Sequence, residues 1–204
     1  MLHIGLTGNL GSGKSTVATL FAQKGAHLLA SDAIGRDLMQ PGQPVFQKIV
    51  DRFGPGILTA TGELNRPALA RIAFTEGRAE ELNAIVHPAV IARQAELAEA
   101  LSNQDPRAIL IVESALIFES RHFTGTKRFD KILLVTAPES QKIARFTQRT
   151  GLPPEEAHRR LALQIPDAAK RPLADYLIEN DGSLAHLEAQ VDALWPLFKA
   201  LAAQ

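Results

Sequence analysis

An α/β architecture, with a parallel five-stranded sheet between helices, is predicted by three features of the sequence. Five apolar runs are continuous rather than alternating, a glycine-rich turn joins the first run to a helical segment, and the end of the chain carries a helical apolar stripe. The runs are Leu2 to Leu6, Ala26 to Ala30, Ala108 to Val112, Ile132 to Val135 and Tyr176 to Ile178. Continuous runs suit strands covered on both faces, as in a parallel sheet flanked by helices. Between Ser183 and Ala203, residues Leu184, Leu187, Val191, Leu194, Phe198 and Leu201 alternate steps of three and four and so share one helical face, with Pro196 a candidate kink.

The strands are unevenly spaced: about 20 residues separate the first two runs and nearly 80 separate the second from the third. A core made of residues 1–32, 106–138 and 173–204 is therefore expected to carry two excursions. Residues 33–105 read as a mainly helical insertion whose patterns are broken by Pro and Gly from Pro41 to Pro88. Residues 139–172, rich in Arg and Gln, read as a helical lid, a mobile cover over the site.

Composition narrows the chemistry. Lys plus Arg and Asp plus Glu both number 22, so no net charge holds the chain on nucleic acid or anionic lipid, and any phosphate site must be built from local charge. Cysteine is absent, which excludes disulfides, thiolate metal ligands and thiol nucleophiles. Aromatics make up 5% of residues, too few for a series of stacking platforms on single strands. No signal-like or membrane-length apolar stretch occurs, so a cytoplasmic protein without nucleic-acid or membrane partners is expected.

After the first run, Gly8-Asn9-Leu10-Gly11-Ser12-Gly13-Lys14-Ser15 satisfies G-x-x-x-x-G-K-[ST], the P-loop pattern, and Thr16 onward reads as a helix start. Glycines at these positions let consecutive N–H groups point into one concavity, to which the helix N-terminus adds positive potential. Lys14 is then expected to reach the β- and γ-phosphates of ATP, and the Ser15 hydroxyl to join the shell of Mg²⁺; Ser12 and Thr16 complete the loop. The bland alternative is a glycine-rich turn that binds nothing.

Two carboxylates end strands on the side where ligands gather in a parallel sheet. Asp32 follows the second run and can orient an acceptor hydroxyl as a general base, or can simply be the N-cap of a helix beginning at Ala33. Glu113 ends the third run, where a carboxylate can stand near Mg²⁺ through water. Glu119 has a solvated ion pair with Arg121 or another local cation as its competing role.

Over nearly its whole length the sequence resembles the dephospho-CoA kinase family. The resemblance runs from Gly5-Leu6-Thr7-Gly8 through the P-loop to Ser31-Asp32-Ala33 with Arg36, Pro41-Gly42, Phe53-Gly54, Gly62-Glu63-Leu64-Asn65-Arg66, Leu82-Asn83 and His87-Pro88. It continues in Leu116-Ile117-Phe118-Glu119 at the family's PLLFE stretch, in Gln141, Arg145 and Arg149 as Q-x-x-R-x-x-x-R, and in Gln164, Ala174-Asp175 and Asn180-Asp181-Gly182. The P-loop alone is common to many NTPases, whereas this ordered set is specific.

The resemblance implies a P-loop kinase core with a CoA-binding insertion and a lid, transferring the ATP γ-phosphate to the ribose 3′-hydroxyl of dephospho-CoA, the last step of coenzyme A synthesis. It implies Asp32 at the acceptor hydroxyl, Arg145 and Arg149 approaching ATP, and Arg36, Arg66 and His87 on the substrate side. Arg145 and Arg149 have a water-facing i, i+4 pair as their plain alternative, Arg66 an ion pair, and His87 a turn fixed by Pro88. The chain departs from the family at Ala30, where an aspartate is usual, and at Ala115, where PLLFE has proline. A nucleoside monophosphate, shikimate or gluconate kinase is the alternative acceptor class, and a nonenzymatic nucleotide switch the alternative function, although no N-K-x-D motif occurs. A monomer or small homo-oligomer is expected.

Overall fold

The computed structural model describes residues 1–74, 76–119 and 128–204, apart from the side chain of Phe74. They form two compact units, one of residues 1–29 and 101–204, the other of residues 30–100. Arg121, named above as a partner for Glu119, lies outside the described residues.

The first unit is built on a five-stranded sheet of order β2-β3-β1-β4-β5. The strands are β1 (Leu2–Thr7), β2 (His27–Ala30), β3 (Ile109–Glu113), β4 (Lys131–Thr136) and β5 (Tyr176–Glu179). The predicted strands and the parallel sheet are thus present. β1 runs parallel to β3 on one side, with Leu6 opposite Glu113, and to β4 on the other, with Thr7 opposite Leu134. β4 pairs in parallel with β5 from Leu133 opposite Tyr176 to Thr136 opposite Glu179. The Asp175 carboxylate fixes this last register by accepting from Ile132 N at 2.8 Å and Lys131 Nζ at 3.1 Å.

Both faces of the central strands are covered, as their uninterrupted apolar sequence requires. On one face Ile4, Leu6, Ile111, Leu133 and Ile178 pack with Val17 and Phe21 of helix α1 (Lys14–Gln23) and with Leu187, Val191 and Phe198 of the C-terminal helix. Phe21 stacks on Phe198 at 5.4 Å, and Tyr176 meets the same ring edge-on at 5.2 Å. Leu110, Val112 and Leu134 alternate to the other face and are also buried. There Gly5 leaves room for Ile117 and Phe129, since a Cβ would lie 2.9 and 2.8 Å from their side-chain atoms. β2 departs from expectation: His27 and Leu28 are exposed because β2 is an edge strand, and an apolar run does not reveal its place in a sheet.

The second unit is helical, with α2 (Ser31–Leu38), α3 (Pro44–Phe53), α4 (Arg66–Phe74) and most of α5 (Ala79–Gln104). Its core is Val45, Ile49, Ile57, Leu69 and Ile72, flanked by Leu38, Phe53, Leu82 and Val86. Two sequence expectations change here. α5 runs through Pro88, so His87-Pro88 is not a turn: a proline forfeits one intrahelical bond, and the helix continues on its remaining contacts. Asp32 is not the N-cap of its helix, because α2 starts at Ser31, two residues earlier than expected, with Ala30 in the capping position and no side-chain cap.

The other α-helices among the described residues are α6 (Glu139–Thr150), α7 (Pro154–Leu161), α8 (Asp167–Lys170) and α9 (Leu184–Ala202). α9 matches the predicted stripe except at Leu184, which is exposed in its first turn; it passes through Pro196 without ending and is capped by Ser183 Oγ, which accepts from His186 N at 3.2 Å. Among the described residues no helix is long and apolar enough to cross a membrane. Phe198→Ala is expected to lower unfolding stability by about 3–5 kcal/mol, measured by urea titration; a loss below about 1 kcal/mol would contradict the central place given to this ring.

Candidate active site

The loop from Gly8 to Gly13 leaves the carboxyl end of the middle strand of the sheet, the side on which ligands gather in a parallel sheet, and runs into α1. Its shape depends on having no side chain at particular points. Gly13 has φ +96°, and a Cβ there would stand 2.0 Å from Asn180 Nδ2. Gly11 has φ +70°, and a Cβ would stand 2.2 Å from the Lys142 carbonyl oxygen. Left-handed backbone and blocked space together exclude every other residue type at both positions.

Within the loop, Ser12 N donates to Asn9 O at 3.1 Å, and Lys14 Nζ spans back to Gly8 O at 2.9 Å and Asn9 O at 3.3 Å. The first turn of α1 has no acidic residue and its N-cap, Gly13, has no side chain to accept from the first N–H groups. A run of amide donors, a helix N-terminus and an ammonium therefore converge, which is the field a polyphosphate requires.

Ser15 is exposed in the first turn of α1, and its hydroxyl donates to Glu113 Oε1 at 3.0 Å. The contact follows from the sheet: Glu113 is the last residue of β3 and lies opposite Leu6, just before the loop. A hydroxyl and a carboxylate side by side are hard oxygen donors of the kind Mg²⁺ accepts while keeping phosphate and water as its other ligands. These two residues thus fit a bound Mg²⁺.

From the opposite side, α6 abuts the loop. Arg145 Nη2 donates to Asn180 O at 3.0 Å and to Gln141 Oε1 at 2.8 Å, and Nη1 approaches Gly11 O at 3.4 Å. Asn180 in turn donates from Nδ2 to Ser12 O at 2.8 Å, while Gln141 Nε2 donates to Asp181 O at 2.9 Å. Arg145 is therefore set against the loop and the turn after β5 rather than facing water with Arg149, which is exposed. Further along the same excursion, hydrogen bonds from Arg159 and then Arg160 lower the Glu156 carboxyl from 4.5 to about 2, tying one face of α7 together.

The loop is also held from behind, partly by two lysines that no sequence pattern singles out. Leu10 N donates to Gln164 Oε1 at 2.9 Å, and Asn9 Nδ2 donates to Ile165 O at 3.1 Å. Lys142 is buried and paired with Asp167. Lys170 is fully buried and paired with Glu119 Oε1 at 2.6 Å, so Glu119 is not the solvated residue expected above. An isolated lysine in a polar stretch reads as a surface residue, and only its burial exposes the role.

Asp32, Arg36, Arg66 and His87 belong to the second unit. Asp32 and Arg36 are exposed on α2, His87 is half-buried within α5, and Arg66 opens α4. Asn65 caps that helix, Oδ1 accepting from Ala68 N at 3.1 Å. Arg66 lines a cavity of ≈ 250 Å³ with Met39, Gln40, Pro41, Glu63, Leu64 and Leu69.

The family model for dephospho-CoA kinase matches residues 2–186, which include both the phosphate loop and the helical unit. The chain belongs to the dephospho-CoA kinase family. A relative from Methylococcus capsulatus, a dephospho-CoA kinase, is 40% identical over 100% of each chain. A crystal structure from Thermus thermophilus superposes with a TM-score of 0.77 at 35% identity, covering 96% of this chain and 97% of the other. The fold is shared as well with the dephospho-CoA kinase of Campylobacter jejuni, at a TM-score of 0.68 and 23% identity over 97% and 96% of the two chains. Membership makes the chain an ATP-dependent kinase and disfavours the other acceptor classes and the nucleotide switch.

Gly13→Ala is expected to weaken ATP binding by about 100-fold or more, because the left-handed backbone and the collision with Asn180 each cost on the order of 1–3 kcal/mol. Isothermal titration of the variant, with circular dichroism to verify folding, checks this; parental affinity in a folded variant would refute it.

Proposed function

We propose that the protein transfers the γ-phosphate of ATP to the ribose 3′-hydroxyl of dephospho-CoA, giving coenzyme A and ADP. The observation that carries this is the extent of the family match, residues 2–186, which takes in the P-loop and the insertion alike. Gly8, Gly11, Ser12, Gly13 and Thr16 form the cradle for the triphosphate. Lys14 leaves its loop carbonyls for the β- and γ-phosphate oxygens, and Arg145 and Arg149 bind the nucleotide from α6.

Ser15 and Glu113 are the residues that would hold Mg²⁺. When bound, the ion supplies neutralisation of charge on the phosphate oxygens. Asp32 accepts the proton of the 3′-hydroxyl as its oxygen bonds to the γ-phosphorus and the bond from that phosphorus to the bridging oxygen of ADP breaks. Phosphoryl transfer has a loose transition state, so orienting the hydroxyl matters more than strong basicity, and a carboxylate suffices. Arg36, Arg66 and His87 contact dephospho-CoA within residues 33–105, and residues 139–172 act as the lid. Support for an acceptor larger than a bare sugar comes from the helical unit, with its own apolar core and the cavity beside Arg66. We take the protein to act in the cytoplasm as a monomer or small homo-oligomer.

With Mg²⁺ and ATP, the purified protein is expected to release ADP in step with consumption of dephospho-CoA, followed by a coupled assay with mass detection of coenzyme A. ADP formation no greater than in the acceptor-free control would reject the substrate. Asp32→Asn is expected to lower kcat by about 10²–10⁴-fold while leaving ATP affinity nearly unchanged; a variant with parental kcat would remove Asp32 from the chemistry.

A further inference from the structure

Lys170 is completely buried, and its ammonium lies behind the phosphate loop rather than at its mouth. Nζ is 2.6 Å from Glu119 Oε1 and donates to Asn9 Oδ1 at 2.6 Å. Asn9 is itself 4% exposed, and the other end of its amide is also engaged, Nδ2 donating to Ile165 O at 3.1 Å. An amide with both its oxygen and its nitrogen committed has one orientation. The main chain of this residue belongs to the cradle: Asn9 O accepts from Lys14 Nζ at 3.3 Å and from Ser12 N at 3.1 Å. One loop residue thus bears Lys170 on its side chain and Lys14 on its backbone.

Burying an ammonium carries a large desolvation cost, and a site that needed only packing would be filled as well by an apolar side chain. A charge-assisted bond to a loop residue is what an apolar side chain cannot provide. We propose that Lys170 is a positioning residue for nucleotide: by holding the Asn9 side chain it keeps the loop in its ATP-accepting shape and sets the backbone against which Lys14 is aimed. Lys170 touches neither substrate nor the reacting atoms. Glu119 is its counter-ion and keeps the ammonium in place. The inference rests on the loop being the ATP site, as proposed above.

The competing account is that Lys170 and Glu119 merely staple α8 to the turn after β3. The two accounts separate in the full-length protein with Lys170→Met, Asn9→Ala, the double variant of these, and the charge-free pair Lys170→Met with Glu119→Leu. Lys170→Met and Asn9→Ala are each expected to raise the KM for ATP about tenfold, the size of one bond to a charged group, with the KM for dephospho-CoA within about twofold of the parent. Their combination is expected to raise that KM no further than either alone, because the Lys170–Asn9 contact on which the effect depends is lost in both. The charge-free pair is expected to regain thermal stability over Lys170→Met without regaining the KM for ATP.

Parental KM for ATP in Lys170→Met, independent and additive effects of Lys170→Met and Asn9→Ala, or recovery of that KM in the charge-free pair would each overturn the proposal. If Lys170→Met does not fold, Asn9→Ala decides alone, since it leaves the ion pair intact and a parental KM there overturns the proposal too. Lys14→Ala separates the two levels. If it binds ATP like the parent, the loop is not the ATP site; if it loses ATP while Lys170→Met does not, only the role of Lys170 fails.

Discussion

Everything in the first unit is arranged around the fact that the phosphate loop has no room for side chains. Val135 O stands 2.3 Å from where a Cβ of Gly8 would be, Lys142 O stands at the same point for Gly11, and Asn180 Nδ2 for Gly13. Those three walls come from the end of β4, from the first turns of α6 and from the turn after β5. The loop is moulded by elements that must themselves be placed to within a fraction of an ångström. The register of β4 against β5, held by Asp175, therefore bears on the cradle even though Asp175 is remote from it in sequence.

Charge follows the same plan. In front of the loop the donors are amides, the N-terminus of α1 and the Lys14 ammonium, all of which suit an anion. Behind it lie Lys142 with Asp167 and Lys170 with Glu119, each cation matched by a carboxylate. The paired charges behind add little net field, which leaves the field at the mouth to the loop, and a chain without net charge can nonetheless present a strongly anion-seeking concavity.

The parts of this arrangement that were legible in the sequence are those encoded over short distances. Period and continuity of apolar residues give the five strands and α9, and the G-x-x-x-x-G-K-S pattern gives the loop. That Glu113 and Ser15 touch follows once β3 is known to lie beside β1. What local pattern does not carry is position within the sheet, hence the exposed residues of β2, and tolerance of a rule-breaking residue by its surroundings, hence Pro88 within α5. Buried lysines were invisible for a related reason: Lys142 and Lys170 are stable inside only because Asp167 and Glu119 meet them, and pairings across that many residues have no sequence period.

The contacts that shape the loop also span most of the polypeptide. Asn9 meets Lys170 across 161 positions, Leu10 meets Gln164 across 154, and Ser12 meets Asn180 across 168. On a growing chain the loop is made more than 150 residues ahead of these three partners, and its shape has to wait for them. Until then the glycine-rich stretch lacks the walls that fix its backbone, and its shape arrives only with the long-range contacts of the fold.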